Sequence, residues 1–493
     1  MTFRRSGIGL LGCVWLLAIA PVLPAEAQAP PMYALIVGGG PDLDSNTAQI
    51  EGHVRFVGQI LPAGAKRIVL FADGKSDAAT VSQIDLSATP ENKRAMAVLL
   101  PSNNLAPQPV KHAPALGMKI DGASRLQELR RAVGKISALA AAQPAPVLLY
   151  FAGHGAQNGD KEEDTQYEMW GGDELSVHDL ASEIARLPRQ PPVILIMAQC
   201  YSGAFANMLF RQGEPNGAPL SRDIAGFFSA HKDRVASGCS AETTEADYQD
   251  FSSYFLGALC GHDRFGHPMQ GADFDGDGKV SLHEAFCYAL IHDASIDTPV
   301  CTSDVYLKRF APMADAEIFG TPYSRIWQAA TPSQQAVLGA LSEKLGLSGE
   351  KRPLQVYDWL KYSDPIARPE MIKGEDDASA ALNALRLNTL EDFFMRWPAL
   401  RFNGTSEYTK ALGEATATVG DKGLGRALLE ADKAHENAED GVDNDEAAMM
   451  RFAGVCESVL EAQQLRAHGK QEAREQFERL WLSEQRSLPV PAR

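Results

Sequence analysis

Two residues of this 493-residue chain carry the types and surroundings that nucleophilic chemistry needs. His154 lies in Gly153-His154-Gly155, and Cys200 lies in Gln199-Cys200-Tyr201-Ser202-Gly203, 46 residues further on. A thiol attacks a carbonyl as its thiolate, and an imidazole within reach can take the thiol proton and later give it to a leaving amine. Acyl transfer also needs backbone N–H groups aimed at the oxygen that becomes negative. Gly155 and Cys200 are placed to supply them, and Gly153 and Gly203 leave room for a peptide backbone to approach. Ala204 to Phe210 reads as helical, so Cys200 is expected just ahead of a helix start, where a thiolate is favoured. A lone His beside Gly, or a lone Cys after an apolar run, is more often a packed core residue. The pair carries weight because each closes the same kind of apolar run.

A second constellation is Asp273, Asp275, Asp277, Gly278, Ser281 and Glu284. These fill positions 1, 3, 5, 6, 9 and 12 of an EF-hand loop, with Lys279 offering its backbone carbonyl at position 7. Short carboxylates wrap a hard cation, glycine permits the sharp turn, and the closing Glu can bind through both oxygens. A helix is expected after the loop, from Leu282 to Ile291, whereas the preceding GHDRFGHPMQGA does not read as one. The expectation is one Ca2+ loop that braces the fold rather than a paired sensor. Gly38-Gly39-Gly40 is not read as a dinucleotide loop, because Pro41 follows and Leu43 stands where the third spaced glycine belongs.

The elements that must position these groups follow from the apolar pattern. Met32–Val37, Arg67–Ala72, Val147–Phe151 and Val193–Met197 read as strands apolar on both faces, and Asp233–Ser237 reads as a fifth. Helical spacing appears at Ile50, Val54, Val57, Ile60 and Leu61, over Leu126–Leu139, Leu175–Leu187 and Phe251–Leu259. Such alternation predicts an α/β fold with a mostly parallel sheet flanked by helices. From about residue 320 the strands stop. Thr331-Pro332-Ser333-Gln334 has the form of a helix-starting capping box, Asn388 and Glu391 repeat it, and apolar positions from Phe452 to Trp481 suggest a long terminal helix or helical pair. Residues 320–493 are therefore expected to be all-α, with acidic Glu436–Glu446 as a solvated loop.

An apolar block ending in His-Gly, followed by a second ending in Cys, resembles the caspase–legumain–gingipain clan of cysteine peptidases, and most nearly the bacterial legumain-like members. FAGHG and AQCYSG carry the resemblance specifically, and the order of elements over residues 32–310 carries the rest. It implies a caspase-like peptidase domain over residues 30–318. It implies an endopeptidase working through a Cys200 thioester, with His154 as general base and acid and the N–H groups of Gly155 and Cys200 as the oxyanion hole. Asn46 matches an asparagine that legumain-like members carry near the catalytic histidine. Ala48 stands where those members have a pocket arginine, so their asparagine preference does not carry over. Ser237–Thr244 corresponds to the pocket wall, and Glu242, Asp247 and Asp250 are acids nearby that would favour a basic side chain. The helical region is expected to gate the site or bind a partner, and the polar loop Gln212–Arg222 is a place for self-processing. Substrates would be proteins or peptides. A non-catalytic, calcium-braced interaction protein on the same frame, or a transpeptidase, are the competing readings.

Composition sets the outer bounds. Apolar residues make up 45% and charged residues 22%, which excludes a mainly disordered or coiled-coil chain. Forty-six basic against 63 acidic residues give a net charge of -17, which disfavours nucleic acid and anionic lipid as partners. Arg4 and Arg5, the apolar run Ile8–Val22 and Ala25-Glu26-Ala27 read as a cleavable export signal over residues 1–27, implying a periplasmic or secreted protein with no membrane attachment after cleavage. A lipoprotein reading at Leu10-Leu11-Gly12-Cys13 ranks below it. Six cysteines remain beyond the signal, and an oxidising compartment would permit a bridge or two among Cys260, Cys287 and Cys301.

Overall fold

Tyr33, Leu35 and Val37 of strand β1 (Tyr33–Gly39) belong to one hydrophobic core, and Ala34 and Ile36 belong to another. Alternate residues of a strand point to opposite faces, so this division means a sheet buried on both sides. The computed structural model describes residues 32–101, 105–159, 161–241, 248–362, 369–421 and 423–489. The expected export signal lies outside them, as do Glu242 and Asp247.

After β1 come α1 (Ala48–Ile60), β2 (Lys66–Phe71), β3 (Val81–Gln83), α2 (Glu91–Leu99), β4 (Val110–His112) and α3 (Leu126–Ala142). Next are β5 (Val147–Asn158), β6 (Lys161–Met169), β7 (Asp173–Ser176), α4 (Val177–Ala185), β8 (Val193–Ala198) and β9 (Ile224–Phe228). Helices α5 (Phe251–Cys260) and α6 (Leu282–His292), strand β10 (Val300–Cys301) and α7 (Thr302–Phe310) complete the α/β part. The main sheet runs β10-β9-β8-β5-β1-β2, parallel except for β10. The order reverses beside β1: β2 lies on one side, and β5, β8 and β9 lie on the other. In open sheets of this kind ligands bind at the carboxyl ends of strands near such a reversal. Strand β5 runs on past the sheet and pairs with the antiparallel ribbon β6–β7.

The fold class agrees with the sequence reading: an α/β protein with a mostly parallel sheet flanked by helices and a helical C-terminal region. Several details differ. The fifth parallel strand is Ile224–Phe228, not Asp233–Ser237. All five residues of Ile224–Phe228 are buried, whereas 233–237 carries Asp233 and Arg234 and forms a loop against Cys200. The helical stretch expected from Ala204 to Phe210 is present as a 3-10 helix over Ser202–Leu209.

Beyond residue 310 follow α8 (Asp315–Phe319), α9 (Tyr323–Ala329), α10 (Pro332–Lys344), α11 (Arg352–Tyr362), α12 (Pro369–Arg396), α13 (Ser406–Asp421), α14 (Leu424–His468) and α15 (Gln471–Glu484). The capping box at Thr331 and Gln334 is present in full. Asn388 and Glu391 instead lie inside α12, and Glu436–Glu446 lies inside the 45-residue α14. A solvated helix face is as compatible with acidic residues as a loop is, and α14 runs through this segment despite its Gly, Asn and Asp content. Phe452, Val455 and Val459 of α14 join the core under one sheet face, while Leu465, Phe477 and Leu480 join the other. A third cluster joins α2 to the outer helices through Met96, Leu99, Phe393, Trp397, Val419 and Leu428.

All six described cysteines are free thiols, so the bridges an oxidising compartment would permit are not formed. Among the described residues no helix is long and apolar enough to cross a membrane.

Glu484 fastens α15 to the α/β part. It is fully buried; one carboxylate oxygen accepts the Thr302 hydroxyl (2.6 Å) and the Ser303 N–H (2.8 Å), and the other accepts the Ser303 hydroxyl (2.7 Å). These are the first residues of α7, where the helix dipole favours a carboxylate. Burial nevertheless dominates and pushes Glu484 from an ordinary 4.5 up to about 7. A carboxyl raised on folding contributes stability that is complete below pH 4.5 and is lost as pH rises through about 7. Glu484→Gln should therefore flatten the loss of unfolding free energy across that window. The difference from wild type should change by roughly 3 kcal/mol between its ends, read by denaturant unfolding at stepped pH. Parallel curves for the two proteins would contradict this.

Candidate active site

Strands β5 and β8 are neighbours, in register from Val147 opposite Val193 to Ala152 opposite Ala198. His154 and Cys200 each follow the last paired residue by two positions, so both leave the sheet at the same edge. Strand β5 is buried as far as Gly153 and becomes partly accessible at His154. At this edge the two backbones touch. A Cβ at Gly155 would sit 2.1 Å from the Cys200 carbonyl oxygen and 2.9 Å from Gln199 Cγ, so only glycine fits.

The His154 Nε2 lies 2.8 Å from the Ser45 carbonyl oxygen. A carbonyl only accepts, so Nε2 carries the hydrogen and Nδ1 keeps the lone pair a general base needs. The loop after β1 holds that carbonyl in place. Asp42 Oδ1 accepts the N–H groups of Asp44 and Ser45 and the Ser45 hydroxyl (2.9, 2.9 and 2.7 Å). Asn46, fully buried, donates Nδ2 to the Thr80 carbonyl (2.8 Å), and its own carbonyl accepts the Ser82 N–H (2.7 Å). Asn46 thus anchors the loop and makes no hydrogen bond to His154; the carbonyl one residue earlier makes it.

Cys200 is half-buried. Its Sγ accepts the Ala236 N–H at 3.3 Å and lies 3.7 Å from the Ala236 carbonyl oxygen. Tyr201, next in the chain, has φ +60°, a left-handed conformation uncommon outside glycine. That turn is held by the Tyr201 N–H on the Arg234 carbonyl (2.8 Å) and by the Thr165 hydroxyl on the Tyr201 carbonyl (3.2 Å). Burial pushes the Cys200 thiol up, the Ala236 N–H works against it, and the charges of Asp297 and Glu168 push it further up. Cys239 is driven to about 12, chiefly by burial, with Cys200, Asp297 and Glu168 adding to it. Glu168 pairs across the ribbon with His154, and cross-strand partners share a face. Imidazole and carboxylate therefore share one face of the ribbon, and the charges of Glu168 and Asp297 reach both thiols. Among the described residues no hydrogen bond joins His154 to Cys200, and the thiol rests neutral.

The segment expected as a pocket wall follows Ala236. Ser237 donates its N–H to Asp297 (2.6 Å), Gly238 faces His53, and Ser240 donates its N–H to Gln49 Oε1 (2.9 Å). Asp250 caps α5 through the Ser253 N–H (2.9 Å) and accepts the Gln49 amide (3.0 Å), with His53 Nε2 at 3.4 Å. Burial raises Asp250, but His53, Arg264 and these hydrogen bonds outweigh it, so it is ionised. Burial takes His53 down to about 4, which leaves Arg264 as the balancing cation. Asp250 is therefore already matched, unlike the free acid expected for a basic side chain.

In the acidic loop, carboxylate oxygens of Asp273, Asp275 and Asp277 lie within 4.8 Å of one another. The turn is held by Asp273 on the N–H groups of Gly276 and Gly278 and by Asp275 on that of Asp277. Gly276 and Gly278 take positive φ, as so tight a turn demands. Ser281 and Glu284 form a capping box at the start of α6, and Glu284 also accepts the N–H groups of Phe274 and Asp275. Three carboxylate oxygens this close on a glycine turn could hold a metal ion. Ser281 and Glu284 are engaged with backbone, and the Lys279 N–H donates to Asp277 (2.8 Å).

The contacts that sequence reasoning missed are backbone groups: the Ser45 carbonyl and the Ala236 N–H. Neither has a residue-type signature. No family model matches this chain, and no curated protein matches it. A solved structure it resembles, protein GSU0716 from Geobacter sulfurreducens, is 12% identical with a TM-score of 0.29, covering 55% of this chain and 92% of that one.

Two outcomes follow from the geometry. Iodoacetamide at mild alkaline pH should label Cys200 ahead of Cys239 and the four buried thiols, read by peptide mass mapping; faster labelling of Cys239 would contradict the electrostatic ordering. Gly155→Ala should cost roughly 1–3 kcal/mol of stability from overpacking and slow Cys200 alkylation, because the Cys200 carbonyl must move.

Proposed function

We propose that this protein is a cysteine endopeptidase that hydrolyses peptide bonds through a thioester at Cys200, with His154 as general base and then general acid. One observation carries the reading. His154 and Cys200 leave adjacent parallel strands at one edge, their flanking backbones in van der Waals contact. The Nε2–H bond to Ser45 supports it further, since it leaves Nδ1 free to take a proton.

In this reading Nδ1 takes the thiol proton as Sγ bonds to the scissile carbonyl carbon. The carbonyl oxygen becomes negative and is met by the N–H groups of Gly155 and Cys200. Collapse expels the amine, which takes the proton from the imidazolium. Water then attacks the thioester, His154 accepts its proton, and the thiol is restored. A raised thiol pKa suits this sequence: the nucleophile is made at the moment of reaction by its base rather than kept as a standing thiolate.

We also propose that Asp273, Asp275 and Asp277 hold a structural Ca2+, joined by Ser281, Glu284 and the Lys279 carbonyl. The ion would brace the loop ahead of α6. The signal-like N-terminus supports export to a periplasmic or extracellular setting, where weak calcium sites suffice.

A positional library of fluorogenic peptides tests the first proposal. Wild-type cleavage should fall by a factor of about 10³ or more in Cys200→Ala and in His154→Ala, with melting temperatures close to wild type. Equal cleavage by the variants would refute it. Calcium should raise the melting temperature, by the equivalent of about 2.7 kcal/mol at a hundredfold excess over Kd, and Asp275→Asn should abolish the effect. An identical shift in Asp275→Asn would remove the site.

A further inference from the structure

The loop that touches Cys200 is held from below by the segment 293–298. The His231 N–H donates to the Thr298 hydroxyl (3.2 Å) and the Ser237 N–H to Asp297 Oδ1 (2.6 Å), so the segment grips both ends of the stretch that contains Ala236. The same segment holds the other bank. Ala294 donates to the Gln249 carbonyl (3.1 Å), and Asp297 Oδ2 accepts the Phe251 N–H (3.0 Å), on either side of Asp250.

Segment 293–298 is itself pinned from α14. Arg451 is 3% exposed, and its guanidinium donates to the carbonyls of Asp293 (2.7 Å), Leu290 (3.3 Å) and Ser295 (3.3 Å). Its Nε donates back to Ala447 of its own helix (3.2 Å), so one planar group locks α14 to the end of α6 and to the segment beyond it. A guanidinium spans several carbonyls in a fixed fork, which an ammonium does not reproduce. A second tie lies nearer solvent: Glu446 of α14 meets Arg234 at 3.1 Å, and the Arg234 carbonyl accepts the Tyr201 N–H.

We propose that Arg451 is a positioning residue for the nucleophile: through the carbonyls of 290–295 and the segment 293–298 it sets where the Ala236 N–H meets Cys200 Sγ. The inference rests on Cys200 being the nucleophile, but its readout does not require peptide cleavage. The helical region thereby becomes a component of the catalytic apparatus.

The test is the pH profile of Cys200 alkylation by iodoacetamide, followed by peptide mass mapping in the full chain. The ionisable groups around Cys200 are His154, Glu168, Cys239 and Asp297, with Asp293 and Asp250 acting on Asp297 and the Arg451 cation on Asp293; none of these acids, thiols or imidazoles is altered. Arg451→Lys keeps the charge but loses the fork. Its Cys200 midpoint should move up by about one pH unit, equivalent to about tenfold slower alkylation at neutral pH. Thr298→Val, uncharged and on the same path, should move it the same way, and the double variant should fall short of the product of the two. Phe452→Leu, a core substitution on α14, should lower the melting temperature without moving the midpoint. An unchanged midpoint in folded Arg451→Lys, independent effects in the double variant, or an equal shift in Phe452→Leu would each overturn the proposal. If Arg451→Lys does not fold, Thr298→Val and Glu446→Gln take its place, and unmoved midpoints in both overturn it. Shifted midpoints in a protein that cleaves no peptide would refute the peptidase reading and leave the positioning role standing.

Discussion

Everything at the candidate site depends on the close approach of the β5 and β8 backbones where they leave the sheet. A parallel pair keeps its register only while both strands run side by side, and here they part within three residues of the last pairing. Strand β5 continues into the β6–β7 ribbon, and β8 turns at Tyr201 in a left-handed conformation. Gly155 makes this possible, because a Cβ there would overlap the Cys200 carbonyl. The imidazole and thiol are thus brought to one edge by main-chain geometry, and side-chain contacts only adjust their aim.

The electrostatics of the cleft fit a nucleophile made on demand. Burial and two carboxylates oppose a thiolate at Cys200, and two backbone N–H groups, of Ala236 and of Cys200 itself, favour it, Ala236 the more strongly. Cys239 feels the same carboxylates without such a donor in its balance and is driven to about 12. Backbone N–H groups, with that of Ala236 foremost, therefore distinguish the two thiols. That makes the loop 231–237 the sensitive part of the site, and it explains why so many hydrogen bonds converge on a stretch with little regular structure of its own.

The sheet was legible in the sequence because its strands are buried on both faces, giving short apolar runs that end in glycine or small polar residues. His154 and Cys200 were legible because each closes such a run. What escaped detection escaped for physical reasons. The run IAGFF of β9 is as apolar as its neighbours, but a polar loop precedes it, and from sequence Asp233–Ser237 competes with it for the place of the fifth strand. The partner of His154 proved to be the Ser45 carbonyl, and every residue has a carbonyl. Asn46 was singled out by side chain, yet it serves the same loop by bonding Thr80. The acidic run 436–446 looks like a loop from sequence, but charge density says only that a surface is wet, and α14 passes through it unbroken. Ser281 and Glu284 satisfy two rules at once, a calcium loop and a capping box, and spacing alone does not separate them.

The way α14 and α15 are embedded limits how the helical region can act on the site. Phe452, Val455 and Val459 lie in the core on one sheet face, and Leu465, Phe477 and Leu480 in the core on the other. Fully exposing such side chains costs about 1.5–3 kcal/mol each. Lifting both helices away would cost on the order of 10 kcal/mol, comparable to the whole stability of a domain. It would also leave Arg451 and Glu484 without their buried partners. A region held this way does not swing clear as a rigid cover. Its influence on the cleft has to pass through small displacements at the joints, at Arg451 and at Arg234–Glu446. The outer helices α12 and α13 are gathered in a separate cluster with α2 and the start of α14. Any control of the cleft by the helical region is therefore a matter of how firmly segment 293–298 is held, not of whether the region is attached.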